Sequence, residues 1–346
     1  MAMVVDQGTR GERGFSLVEM MVTLTIMLVV MAGAFRAYRD GSDAVTTGTM
    51  LGDANQNLRS SINLMSRDLI QTGREFPNGG IPFPSGTGAV AIRRPGPPGL
   101  NLTFPASFDG VLPAICPGPN LGPVINGIAT DIVTNLYADA ALDLNAFPAS
   151  IQADGSKMTV NAGTPINDPV TGLRAGDLIW FTNAVGDAIQ TVTSVQGQDV
   201  FFAANDAFGF NQRGAAAGTI IKIRPGATFP PDSTSATRVM MVTYYIDTVT
   251  VPGQFRLMRQ VNFGTPRLIA PGIDNLQATY DIVDGTINPT NQPDAVDPYN
   301  PVQIRKVNLF MASRSDLRLP QSQQVLRLSV ATQVSLRAMS FVDRYK

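Results

Sequence analysis

The chain has 346 residues, 44% of them hydrophobic and 15% charged, with a formal net charge of -1. That length allows one large domain or two modest ones beside a membrane segment, and the near-zero charge excludes bulk attraction to nucleic acid or anionic lipid. Histidine is absent and Cys116 is the single cysteine, which excludes histidine-based acid–base, triad and zinc chemistry and any intrachain disulfide.

In chain order, the first segment is a polar leader over 1–14 that ends in Arg13-Gly14, where an almost wholly apolar run begins abruptly. From Phe15 to Phe35 the run is about 21 residues, and as a helix it reaches ~31 Å, the thickness of a bilayer's hydrocarbon core. A secretory signal is built differently, with a shorter apolar region followed by a small-residue cleavage site. Processing here falls before the helix and leaves it on the mature chain. Arg10 and Arg13 precede the span and Arg36 and Arg39 follow it, so positive charge does not orient it. The one charge inside is Glu19. Glutamate otherwise occurs only at Glu12 and Glu75, so this carboxylate is not drawn from a glutamate-rich background. A carboxylate at mid-membrane costs about 2.5–3.5 kcal/mol and is usually matched to a partner. Near the interface the helix dipole favours a first-turn acid. The residues alone therefore leave open a solvated acid at headgroup level, a plain signal anchor, or a charge awaiting a partner.

Gly14-Phe15-Ser16-Leu17-Val18-Glu19 followed by the apolar run resembles the class III signal of type IV pilins and type II secretion pseudopilins. The resemblance implies cleavage by a prepilin peptidase between Gly14 and Phe15, N-methylation of the Phe15 amine, and Glu19 as the acidic residue at the fifth mature position. Methylation leaves the amine positively charged. Glu19 of one subunit would then meet the Phe15 ammonium of a neighbour in a filament. A subunit out of register leaves both charges unpaired in low dielectric, so Glu19 would act as a register check.

Beyond the bilayer, Leu51, Leu58, Ile62, Met65 and Leu69 recur on one helical face, with Arg59, Arg67 and Asp68 off it. The spacing predicts one long helix to about Gly73, an amphipathic continuation over 36–74. Gly41, Gly48 and Gly52 each weaken a helix by about 0.8–1 kcal/mol relative to alanine, which predicts a bend or a frayed turn. The family often has a proline just past the membrane half, where this chain has Arg36.

From Phe76 to about Pro123 proline and glycine crowd the chain and predict loop with at most short strands. GDLIWFTN, AIQTVTSV, DVFFAA, GTIIKIR, VMMVTYYID and FRLMRQ then read as strands. Alternation of Leu326, Leu328, Val330, Thr332, Val334 and Leu336 predicts a long strand with one buried face. Asp284 to Pro301 reads as a polar, proline-broken loop between two strands. The expected fold is α+β: a long N-terminal helix, its first half transmembrane over 15–35, packed on a β-rich extracytoplasmic globular domain with long loops over 75–346.

These segments extend the resemblance. Arg67 to Gly73, Gly176-Asp177-Leu178-Ile179, Val242 to Ile246, Leu257-Met258-Arg259 and Val334 to Arg337 are similar, as an ordered set, to PilW-like minor pilins. That implies a structural, non-enzymatic subunit of a type IV pilus, acting in assembly initiation or at the tip. A J-type pseudopilin of type II secretion is the alternative. A tip adhesin or DNA-capturing module, built from loops near 76–125 and 284–301, is a further one. The implied partners are the prepilin peptidase, other major and minor pilins, the inner-membrane assembly platform and membrane lipid. The implied location is the inner membrane and then the pilus.

No phosphate-binding loop, dinucleotide fingerprint or zinc spacing is present. Asp274, Asp281, Asp284, Asp294 and Asp297 match no calcium loop and read as solvated loop acids. Arg93-Arg94 and Arg305-Lys306 read as surface or cross-strand charges, so no nucleic-acid partner is expected. Trp180 reads as core and Cys116 as a loop residue without a role. No catalytic residue, metal or cofactor is expected.

Overall fold

The computed structural model describes residues 14–105, 108, 110–142, 144, 149–161, 163–319 and 322–340. Of the expected leader over 1–14, all but Gly14 lies outside these. Ser16 starts the first helix: its backbone is extended (φ -77, ψ 150) and its hydroxyl oxygen accepts the Glu19 amide at 3.2 Å, satisfying one of the amides a helix start leaves free. Helix α1 (Leu17–Gln71) then runs for 55 residues, ~82 Å at the usual rise. The frayed turn expected at Gly41, Gly48 and Gly52 does not occur; all three stay helical, with open space around each. The helix ends at Thr72, and Gly73 turns the chain with φ +77. A Cβ at that position would lie 2.9 Å from Met339 Cγ, so both the turn and the close approach require glycine.

The proline- and glycine-rich stretch holds only two-residue strands: β1 (Ile81–Pro82), β2 (Val111–Leu112) and β3 (Ile115–Cys116). A small hairpin of β4 (Val124–Ile125) and β5 (Ile128–Ala129) follows, turned by Asn126 and Gly127 at φ 50 and 82, the two positive values that a tight two-residue hairpin turn needs. Longer strands come after it: β6 (Val133–Ala138), β7 (Ala149–Ile151), β8 (Lys157–Val160), β9 (Leu178–Thr182) and β10 (Asp187–Thr191). β11 (Ser194–Gln196), β12 (Asp199–Phe201), β13 (Ser235–Asp247), β14 (Arg256–Val261) and β15 (Arg267–Pro271) continue the series. The chain closes with β16 (Ile273–Ile282), β17 (Ile304–Arg318), β18 (Val325–Ser335) and a one-turn helix α2 (Arg337–Ser340).

β13 organises a seven-stranded sheet. It pairs with β9 over Ser235–Val239, with β6 over Val239–Tyr244 and with β14 over Val242–Asp247, all antiparallel. β16, β17 and β18 form a second sheet, and α1 lies across β17 and β18. The main core lies between these layers and includes Leu58, Met65, Leu69, Leu136, Met241, Tyr244, Leu276 and Met311. A separate core with Ile151, Met158, Phe181, Phe202 and Ile220 fills the space under the four-stranded sheet β11-β12-β8-β7. An α-helix followed by a β-rich head is the fold the patterning predicts.

Two expectations about elements are corrected. GTIIKIR is a 3-10 turn, Ile220–Ile223, rather than a strand. Ile220 and Ile223 are its buried residues, and their spacing of three matches the 3-10 repeat, which places both side chains on one side. The alternation in β18 is present, but Leu326, Leu328, Val330 and Thr332 are only half-buried. β18 is the edge of its sheet, and α1 packs on its inner face.

Candidate assembly helix and its anchor

From Gly14 to Ser42 every residue of the chain is exposed. The almost wholly apolar first part of α1, to Phe35, is therefore left uncovered by the head. By length and composition α1 is able to cross a membrane. Its polar groups are handled locally. Thr23 Oγ1 donates to the Glu19 and Met20 carbonyls at 2.9 and 3.0 Å, and Thr25 Oγ1 donates to Met21 and Val22 at 2.9 Å each. These back-bonded hydroxyls present little polarity to an apolar surrounding. Glu19 differs. Its amide is held by Ser16, but among the described residues its carboxylate has no hydrogen-bond or ion-pair partner. Phe15 is 78% exposed, and Gly14 to Ser16 are non-helical, so the Gly14–Phe15 bond lies outside the helix, just before its cap.

The other end of α1 is clamped. Asp68, placed by spacing off the apolar stripe, is nonetheless 4% exposed. Tyr244 Oη and Arg259 Nε both donate to its Oδ2 at 2.6 Å. Tyr244 and Arg259 face each other across the β13–β14 ladder, so one carboxylate joins the helix to two strands at once. Asn135 Nδ2 donates to the Asp68 carbonyl at 3.1 Å, and the Gly73 amide donates to the Leu136 carbonyl at 2.9 Å, which brings in β6. Burial, reinforced by the Asp68 charge, pushes the Tyr244 hydroxyl up, so it stays a donor. Burial opposes the Arg259 charge, but the Asp68 hydrogen bond and charge outweigh it and raise that guanidinium. A signal for this clamp existed in the sequence: Asp68 follows Met65 by three and precedes Leu69, at the border of the apolar stripe.

Other charged residues also depart from expectation. Arg94 is buried, not a surface charge, and donates to the Pro117, Cys116 and Ile132 carbonyls at 2.6, 2.8 and 3.1 Å. Burial lowers its affinity for a proton; three carbonyls and the Thr134 hydroxyl, at 3.2 Å, hold it in place of a carboxylate. Cys116 lies in β3, fully buried, and burial pushes its thiol up to about 12. Asp274 and Asp281 are strand residues of β16, not solvated loop acids. Asp274 pairs with Arg327 at 2.5 Å, and Asp281 accepts from Asn308 Nδ2 at 2.8 Å and Gln333 Nε2 at 3.0 Å. Asp284 lies in the expected loop and accepts the amides of Thr286, Ile287 and Asn288. Trp180 packs at the edge of the main core beside Phe76, with ring centroids 6.3 Å apart, and donates to Asp187 at 2.8 Å.

Residues 9–35 match the family described as "Prokaryotic N-terminal methylation motif". The matched span takes in the end of the leader, Gly14, Phe15, Glu19 and the apolar helix to Phe35. The chain thus carries a prepilin-type N-terminal signal on an apolar helix suited to membrane anchoring. Among solved structures it is similar to a type IV-like pilin from Thermus thermophilus, with 11% identity, 49% of this chain and 87% of that one covered, and a TM-score of 0.18, a likeness too distant to assign a fold or a role. No curated protein matches the chain.

Proposed function

We propose that this chain is a minor subunit of a type IV pilus, of the PilW-like kind, with a structural rather than catalytic role. The observation that carries the reading is the methylation motif at the start of a helix whose apolar first half the head leaves bare. A helix apolar all round is stable in only two settings, a bilayer or the core of an assembly. The motif connects the two. The prepilin is held in the inner membrane with its head outside, cleaved after Gly14 on the cytoplasmic side, methylated at Phe15, and then packed helix to helix with other pilins. The clamp at Asp68 supports the same reading, because it fastens the far end of the helix to the head and leaves the apolar half free to project.

Mass spectrometry of the chain recovered from sheared surface filaments tests this reading. The expected result is a mature N-terminus at methylated Phe15. An intact leader, or a cut after Phe35, overturns it.

A further inference from the structure

The sheet β16-β17-β18 has two unlike faces. One lies under α1. The other carries Gln277, Thr279 and Asp281 of β16, Asn308 and Phe310 of β17, and Ala331 and Gln333 of β18. The register sets Phe310 opposite Gln277 on one side and Ala331 on the other, and Asn308 between Thr279 and Gln333. With only alanine at 312 and 331, Phe310 is 39% exposed in the middle of the sheet, an aromatic flanked on its own strand and the next by small side chains. A groove of about 450 Å³ lies on one side of it, lined by Gln277, Thr279, Asn291, Asn308 and Gln333, within the roughly 300–1,000 Å³ of small-molecule sites. A smaller groove of about 240 Å³ lies on the other side, walled by the β4–β5 hairpin, Asn275 and Arg327.

The polar side chains around the ring are fixed before any ligand arrives. Asn308 Nδ2 donates to Asp281 Oδ1 at 2.8 Å and to Asn291 Oδ1 at 3.0 Å. Gln333 Nε2 donates to Asp281 Oδ2 at 3.0 Å and to Asn308 Oδ1 at 2.7 Å. Gln277 Nε2 donates to the Ala129 carbonyl at 2.8 Å, which ties the hairpin to the sheet. The charges compensate one another: Lys306 lies 4.0 Å from Asp281 and Arg327 lies 2.5 Å from Asp274. A face with so little net charge has no means of selecting an anion or a cation, and its amides make a poor seat for a lipid chain or an apolar helix. It does suit a neutral sugar, whose C–H face packs on an aromatic ring while its hydroxyls donate to the side-chain amide oxygens of Gln277 and Gln333, the amide N–H groups being already engaged within the protein.

We propose that the outer face of this sheet, centred on Phe310, binds a neutral polysaccharide. The placement rests on the pilus reading: with α1 in the filament, this face is turned outward. The test is calorimetric titration of the full chain in a detergent lacking a sugar headgroup, with cellohexaose, maltohexaose and chitohexaose as neutral probes and polygalacturonate as a charged one. Saturable millimolar or tighter binding of at least one neutral hexaose is expected. It should weaken about tenfold in Phe310→Ala and in Gln333→Ala and persist in Phe310→Tyr, with melting temperatures unchanged. Absence of binding by all three neutral probes overturns the proposal, as does equal binding by Phe310→Ala or a preference for polygalacturonate. If Phe310→Ala instead abolishes filament incorporation while the wild type ignores the hexaoses, the face belongs to a neighbouring subunit. An unprocessed Phe15 with intact hexaose binding rejects the pilus reading and leaves the site standing.

Discussion

Asp68 and Glu19 are both carboxylates on α1, and their surroundings give them different work. Asp68 is buried between a tyrosine and an arginine that oppose each other on paired strands. Removing one partner of a buried ion pair leaves the other charge uncompensated, at a cost of about 3–5 kcal/mol. Asp68→Ala is therefore expected to lower unfolding stability by about that much in urea titration, and Tyr244→Phe by about 1.5–3 kcal/mol, the loss of one hydrogen bond to a charged group. Glu19 has no such partner, so Glu19→Val is expected to insert into the membrane at least as well as wild type yet to be depleted in sheared filaments; equal incorporation would end the register role. A third carboxylate, Asp247, answers to pH. Burial alone would raise it, but hydrogen bonds from Thr250, Arg256 and Val249 outweigh burial and hold it at about 2, below the ordinary 3.8. A depressed carboxylate stabilises the fold above its unfolded value and loses that contribution as pH falls through the folded one. The acid limb of stability between about pH 4 and pH 2 should accordingly be shallower in Asp247→Asn, measured by thermal melts across that range. Of these three residues only Glu19 was legible from the sequence, because its isolation in an apolar run is a local fact. Asp68 and Arg94 owe their burial to partners more than twenty positions away, which periodicity does not report.

At the scale of elements, α1 followed directly from its pattern, and its end at Gly73 was found to within two residues. The expected frayed turn was not found, since three glycines in separate turns weaken a helix without removing a hydrogen bond. Their weakness remains measurable. Gly41→Ala, Gly48→Ala and Gly52→Ala meet open space and are each expected to stabilise the helix by about 0.8–1 kcal/mol, read as slower amide exchange over 41–52. Gly73→Ala is expected to act in the opposite direction, because its positive φ and the nearby Met339 oppose a side chain. GTIIKIR shows the limit of this kind of reading. A short apolar run fits a strand or a tight turn equally well, and the choice was made by the second core, which accepts two isoleucines three positions apart.

Across the whole molecule, the head is held by two large cores and a small third cluster of Ile132, Tyr245 and Met258, and Cys116 reports on the largest. A buried thiol held near 12 carries almost no thiolate at neutral pH, and the thiolate is the reactive form. Maleimide labelling of the native chain should be negligible and should appear together with global unfolding in denaturant; labelling before that point would show that the strands around β3 open on their own. The clamp at Asp68 also has a mechanical meaning. Part of a pull along α1 enters the head through Asp68 and passes to Tyr244 on β13 and Arg259 on β14. Because β13 is paired with β6, β9 and β14, tension that reaches it is shared among three ladders. A subunit hung from its middle strand in this way resists being drawn out far better than one hung from an edge, where the bonds break in succession.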